Sequence, residues 1–440
     1  MKKIIFHIGT NKTGTTTLQD SFAKSRARLE SSGILYPDLS RYTHHTQLIF
    51  SVLEDEEYTG AFGRNTPEGV QASKEISERL WSKLEKQVAQ SACHTLVLST
   101  EYAFGMRPQA WERMSARLAA FGDELHLVGY FRSPASHFNS SQQQVLKYGH
   151  TIESPCKPIP YKGKIQKLKA RAGAQSIRVN LFDRKSLKGG DIIEDFVGQI
   201  EDICGTKLPE IDHMNDNESV SAEAVRLLYA FNKRAFPNSR RPGNPTSKVL
   251  LGCIKEAEAR IEGLQRPKLR ARIKQTIDAV NMDEAIWLRD EMRIVFPDFD
   301  FNADAKAPDA FETDVGKRHL RPEDVFEGLN GDTLLHLQAE VLKTLFDKVF
   351  EIRGQAGKRI PQARKEGVTP TISHLTEMYF PNRKKAGVIW ENYRRMFQKT
   401  LMRYGAALPD MADLSAESIA DILSFVMFEM IKVIRKSNAA

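Results

Sequence analysis

The sequence predicts an α/β protein with a P-loop-like central parallel sheet flanked by helices, followed by a helical C-terminal extension. Three observations carry that expectation. Short apolar runs alternate with helical patterns through the first half of the chain, the order that builds a parallel sheet covered on both faces. The first apolar run ends in a Gly/Thr-rich turn that holds one lysine. After about Asn217 the strand signal fades and helical spacing takes over.

The elements follow in order. Ile4–Ile8 is an apolar run of strand length, and Thr15–Leu29 sets Leu18, Phe22 and Leu29 on one helical face. Ser73–Ser91 repeats the helical spacing, and Thr95–Ser99 and His126–Phe131 read as buried strands. Pro134–Lys147 reads as a helix, with Ser133 as N-cap and proline at the first helical position. Val179–Phe182 supplies a fourth strand. Helical patterns then dominate at Ala222–Phe236, Lys248–Gly263 and Asp332–Ile352.

Gly354–Pro370 is rich in Gly, Pro and basic residues, has no apolar period, and reads as a linker. Two more helical patterns follow it. One carries Trp390, Tyr393, Phe397 and Tyr404; the other spaces Ile419, Leu423, Val426, Met430 and Val433 by fours and threes into an apolar seam. That seam packs on the body of the protein or serves as a homodimer contact. The expected divisions are an α/β core at 1–215, a helical region at 216–353, a linker at 354–370 and an extension at 371–440.

With 41% apolar and 27% charged residues among 440, a globular chain with ample core is expected. No apolar run reaches membrane-span length and no leader precedes the first strand, so a cytoplasmic protein without a transmembrane segment is expected. Cys93, Cys156, Cys204 and Cys253 lack metal or disulfide spacing and read as reduced structural thiols. The net charge of +8 suits an anionic ligand, and no nucleic-acid motif accompanies it.

The turn lies in I-I-F-H-I-G-T-N-K-T-G-T-T-T-L-Q, Ile4 to Gln19. An ATP-type phosphate loop places its lysine after the second glycine, whereas Lys12 precedes Gly14. The physical parts of an anion site remain. Gly14 permits a tight turn, and the helix behind it offers its positive end and its amides to an anion. Lys12 adds a point charge, and Thr13, Thr15, Thr16 and Thr17 add hydroxyls. Lys12, Glu101 and Arg132 each follow the end of a different expected strand, and ligands of open parallel sheets bind beyond those ends.

The run K-T-G-T-T at Lys12–Thr16 resembles the loop that holds the 5′-phosphosulfate in the PAPS-dependent sulfotransferases. A second family element is a strand ending in arginine with a serine eight residues on. It is matched by Arg132 and Ser140 in L-V-G-Y-F-R-S-P-A-S-H-F-N-S-S. The resemblance implies that this pair holds the nucleotide's 3′-phosphate. T-L-V-L-S-T-E ends in Glu101, where bacterial and glycosaminoglycan-type members often have their catalytic base. G-I-L-Y-P at Gly33–Pro37 followed by His44 and His45 also resembles bacterial carbohydrate-type members. It adds His45, or its neighbour His44, as a substrate contact or partner base.

Thinner matches lie at Ile177–Asp183, Gly189–Phe196 and Asn217–Ser219; the resemblance covers roughly the first half of the chain and is absent beyond Gly354. Many cytosolic members stack an aromatic residue on adenine where this chain has Thr17, and their Arg-Lys-Gly segment has no counterpart here. The basic run Tyr161–Arg171 reads first as a solvated helix face and second as a contact for nucleotide or acidic substrate.

What the resemblance implies is transfer of a sulfuryl group from PAPS, leaving PAP, to a hydroxyl or amine of a carbohydrate or glycolipid, with no metal. Lys12 would stabilise the leaving group, and Glu101, with His45, would accept the proton. Lys12, Thr13, Gly14, Thr15, Thr16 and Thr17 with Arg132 and Ser140 would hold the nucleotide. Two other readings stand beside it: an ATP-dependent kinase-like phosphotransferase, in which Glu101 serves magnesium, and a non-catalytic module that binds nucleotide or glycan.

Overall fold

A computed structural model of the chain describes residues 1–58, 67–214, 219–236, 245–315 and 318–352, with a few positions beyond 394. The expected linker at 354–370 lies outside the described residues. So do all but a few positions of the extension at 371–440, including most of its apolar seam.

The chain divides into two units, each drawn from separate stretches of sequence. The first comprises Met1–Phe138, Pro155–Glu218 and Lys274–Thr313; the second comprises Asn139–Ser154, Ser219–Ile273 and the chain from Asp314 onward. The expectation of contiguous blocks divided at 215/216 thus meets a discontinuous arrangement.

The first unit is built on five parallel strands: β1 (Lys3–His7), β2 (Ile34–Leu35), β3 (Thr95–Ser99), β4 (Glu124–Phe131) and β5 (Ser176–Leu181). Their order across the sheet is β2-β3-β1-β4-β5. The centre is in close register, with His7 beside Ser99 of β3 and beside Val128 of β4. The chain leaves β1 toward the β2/β3 edge and leaves β4 toward β5, so the connections diverge between β1 and β4. That divergence is the switch point at which such sheets bind ligands.

Strand periodicity assigns side chains to the two faces. Ile4, Phe6, Leu96, Leu98, Leu125, Leu127 and Phe131 share one buried cluster. Ile5, Val97, Val128 and Tyr130 belong to the other. The first face is covered by α3 (Pro67–Gln90), α4 (Pro108–Leu118) and α6 (Tyr161–Arg171), through Trp81, Trp111, Met114, Tyr161 and Ile165. The second is covered by α1 (Thr15–Lys24), α2 (Arg26–Ser31) and α7 (Ile192–Cys204), through Leu18, Phe22, Leu29, Ile193, Phe196 and Ile200. Burial on both faces explains why the strands read as continuous apolar runs rather than alternating ones.

Two elements depart from the sequence expectation. The single helix expected at Thr15–Leu29 breaks at Ser25, whose buried hydroxyl accepts the Asp212 amide at 3.0 Å. The chain resumes as α2, so Leu29 still reaches the core. Strand β2 is two residues long, too short to show any period.

In the second unit, Asn232 of α8 (Ala222–Ala235) donates to the carbonyls of Leu146 and Gly149 and accepts from Ser247. This buried amide ties α8 to the end of α5 (Pro134–Tyr148) and to α9 (Pro245–Glu258). A two-stranded antiparallel ladder joins Lys268–Leu269 to Phe326–Glu327. No helix among the described residues is long and apolar enough to cross a membrane.

Candidate anion and acid-base site

Beyond the end of β1 the chain keeps its ladder with β4 for three more residues. Ile8 and Thr10 donate their amides to the carbonyls of Val128 and Tyr130, and the Tyr130 amide donates to Gly9. Gly9 has φ +95, and a Cβ added there would stand 2.6 Å from the Glu101 carbonyl oxygen. Only glycine lets the loop after β1 and the loop after β3 run this close.

The turn closes through the Thr13 hydroxyl, which donates to the Thr10 carbonyl at 2.6 Å. Lys12 occupies the left-handed region at φ +66, an uncommon conformation for a residue with a side chain. Gly14, also left-handed, is the N-cap of α1 and offers no side-chain acceptor to the helix. Among the described residues no side chain caps the first-turn amides of α1, and such a helix end is a positive pole that favours an anion.

The threonines expected to serve one ligand divide their work. Thr13 closes the turn, and Thr15 donates its hydroxyl to Glu101 Oε2 at 3.0 Å. The hydroxyls of Thr16 and Thr17 have no partner among the described residues. Thr16 is exposed and Thr17 half-buried.

On the β4 side, Arg132 follows the strand end with its guanidinium 4.6 Å from the centre of the Phe182 ring. It donates to Ser136 Oγ at 3.4 Å, but its buried Nε has no partner among the described residues. Burial lowers its pKa, and a guanidinium remains charged through such a shift. Ser133 accepts the Ser136 amide at 3.4 Å, the expected N-cap contact, and its own hydroxyl is anchored on Asp298. His137 brings Nε2 to 3.2 Å from Asn11 Oδ1. Burial, and after it Arg132, Lys164 and Lys12, lower its pKa to about 4. No carboxylate of the described residues acts on it. Ser140 lies on the continuation of the same helix, part-buried, within the second unit.

Lys164 is the informative surprise of the basic run. Lys162, Lys167, Lys169 and Arg171 are exposed, as a solvated face requires, while Lys164 is half-buried with Nζ 5.5 Å from the Phe104 ring centre. Burial lowers its pKa.

On the β3 side stands Glu101, half-buried. It accepts from Thr15 and bonds the phenol of Tyr102, which burial and then this carboxylate raise to about 12. The two neighbouring histidines differ sharply. His45 is buried; Nδ1 accepts the Ser99 amide at 3.0 Å, so Nε2 carries the proton and donates to the Pro37 carbonyl at 3.1 Å. Burial lowers its pKa to about 4. The expectation of His45 as a catalytic group is corrected: with both ring nitrogens committed to backbone, it fastens the loop after Pro37 to the end of β3. His44 is the ring within the field of Glu101. Burial lowers its pKa, and Glu101 and Asp20 oppose that shift. It stacks on Tyr42 with centroids 5.1 Å apart and planes 13° apart.

Beneath the loop a polar chain runs from His7 Nδ1 to Ser99 Oγ at 2.8 Å, and Gln19 Nε2 donates to the same hydroxyl at 3.0 Å. This chain ties α1 to β3 and fixes the spacing of loop and carboxylate. Sequence reasoning missed it, and missed Asn11, His137 and Tyr102, because no spacing rule marks side chains that meet only across strands. Comparison of the chain with protein-family models, curated proteins and solved structures finds no match in any of the three.

Proposed function

We propose that this protein is a PAPS-dependent sulfotransferase acting on a hydroxyl or amine of a carbohydrate-type acceptor. The observation that carries the reading is that Lys12, Arg132 and Lys164, from three separate elements at the sheet's switch point, all act on His137. Cations gathered at one place favour an anion among them. The unpartnered Arg132 Nε supports the same reading, since a planar donor group suits a phosphate.

In the proposed reaction the sulfur–oxygen bond to the nucleotide phosphate breaks as the acceptor oxygen or nitrogen bonds sulfur in line, and the acceptor's proton passes to Glu101. Lys12 neutralises charge on the departing phosphate oxygen, and the amides at the start of α1 hold that phosphate. Thr15 and Tyr102 orient Glu101 through their hydrogen bonds. Positioning and charge do most of such work, by analogy with phosphoryl transfer. Tyr42 and Tyr102 are exposed, and with His44 they put aromatic surface beside the base, which suits the face of a sugar ring.

One contact favours a second reading. The Thr15 hydroxyl bonded to Glu101 is also the hydroxyl–carboxylate pair that a magnesium nucleotide would use in an ATP-dependent phosphotransferase. The readings separate on Arg132. Under sulfotransfer, Arg132→Ala weakens adenosine 3′,5′-bisphosphate by about tenfold or more while AMP binding changes little, in keeping with one lost charge-assisted hydrogen bond. Equal losses for both ligands would remove Arg132 from the 3′-phosphate.

A further inference from the structure

Arg132 is fixed more firmly through its backbone than through its side chain. The Tyr161 hydroxyl donates to the Arg132 carbonyl at 3.0 Å, and the next residue, Ser133, is anchored on Asp298 at 2.9 Å. The guanidinium makes one long hydrogen bond, to Ser136 Oγ at 3.4 Å, and its buried Nε has no partner among the described residues. It also meets the Phe182 ring, whose centre lies 4.6 Å from the guanidinium carbon. At that distance a cation is drawn to an aromatic ring.

The ring is itself held in place. The Phe182 amide donates to the Phe131 carbonyl at 2.7 Å, which carries the β4–β5 ladder one residue past Leu181. Its side chain packs against the buried cluster under α1 and α7. The turn after β1 closes in on the ring at Gly14. A Cβ added there would stand 3.0 Å from Phe182 Cε2, 3.3 Å from its Cζ and 3.2 Å from Ile192 Cγ2. One aromatic ring thus touches both the cap of α1 and the guanidinium beyond β4.

We propose that Phe182 is a positioning residue. Its ring holds the Arg132 guanidinium in place before the ligand arrives, and so favours a nucleotide phosphorylated at both 5′ and 3′ over one phosphorylated at 5′ alone. The inference rests on the reading of Arg132 as the donor to the 3′-phosphate and adds what holds that donor ready. A long side chain loses rotamer freedom when a ligand pins it. Pinned beforehand, it spares the complex a loss of about two- to tenfold in affinity. Phe182→Leu and Phe182→Met keep apolar volume at the position and remove the ring.

The test is calorimetric titration of the whole chain with adenosine 3′,5′-bisphosphate and with AMP, in metal-free buffer, for the wild type, Phe182→Leu, Arg132→Ala and the double variant. Phe182→Leu is expected to weaken the bisphosphate about two- to tenfold and AMP less than about twofold. Once Arg132 is removed, Phe182→Leu is expected to weaken the bisphosphate no further, because both changes undo the same arrangement. Should Phe182→Leu fail to fold, Phe182→Met carries the same comparison. A ring that only fills space would lower both ligands alike, and a ring that acts independently of Arg132 would give additive losses. Either result would overturn the role of Phe182 and leave the nucleotide reading standing. Failure of the wild type to bind the bisphosphate would overturn both.

Discussion

The two sides of β1 make an instructive contrast. Toward β4 the site gathers cations, with Lys12, Arg132 and Lys164 acting on His137 and an arginine Nε that has no partner among the described residues. Toward β3 the polar groups are already paired: Glu101 with Thr15 and Tyr102, His45 with Ser99 and Pro37, Thr46 with Thr100. A gathering of cations suits an anion from outside, whereas a hydrogen-bonded carboxylate is poised but self-sufficient. Under the proposed function, the β4 side holds the anionic ligand and the β3 side takes the proton.

That contrast can be broken from either side. The largest effect is expected at Glu101. Glu101→Gln should lower turnover by about 10²–10⁴-fold, the usual contribution of a general base, while the affinity for adenosine 3′,5′-bisphosphate stays near the wild-type value. A variant that keeps most of its turnover would strip Glu101 of the role. Substitution at the paired histidines should sharpen the contrast further. His45→Ala leaves the Ser99 amide without its partner and takes from the Pro37 carbonyl one of its two donors, Arg26 remaining, and should cost about 1–3 kcal/mol in a denaturant titration. His44→Ala should cost less than about 1 kcal/mol in stability and act on turnover instead. Reversed outcomes would return the catalytic role to His45.

The same burial has a consequence in acid. His45 and His7 are held down to about 4 and about 3 in the fold, below the ordinary 6.5. The unfolded chain therefore protonates first, and their contribution to stability is lost as pH falls from 6.5 toward those values. The His45 variant should show a shallower decline than the wild type.

The sequence carried the architecture further than it carried the site. Continuous apolar runs at Ile4 and Thr95 were legible as buried strands because parallel strands are covered on both faces. The turn at Lys12–Gly14 was legible because glycine, a lysine and a helix start stand together in sequence. Pairing across strands was not. Nothing local distinguishes His44 from His45, and their difference arises because the Ser99 amide, more than fifty residues away, faces one ring and not the other. Thr13 and Thr15 likewise look alike until Glu101 arrives from β3 to claim one hydroxyl. Lys164 shares its run with exposed basic residues, and only tertiary packing turns it toward the Phe104 ring.

The central claim is that the cationic side of β1 holds a 3′-phosphorylated nucleotide. It is tested most directly by titrating the protein with adenosine 3′,5′-bisphosphate in metal-free buffer and, in parallel, with ATP in the presence of magnesium. Micromolar or tighter binding of the bisphosphate, with little response to magnesium-ATP, is the predicted result. Preference for magnesium-ATP would contradict it and give the Thr15–Glu101 pair to a metal-bound triphosphate.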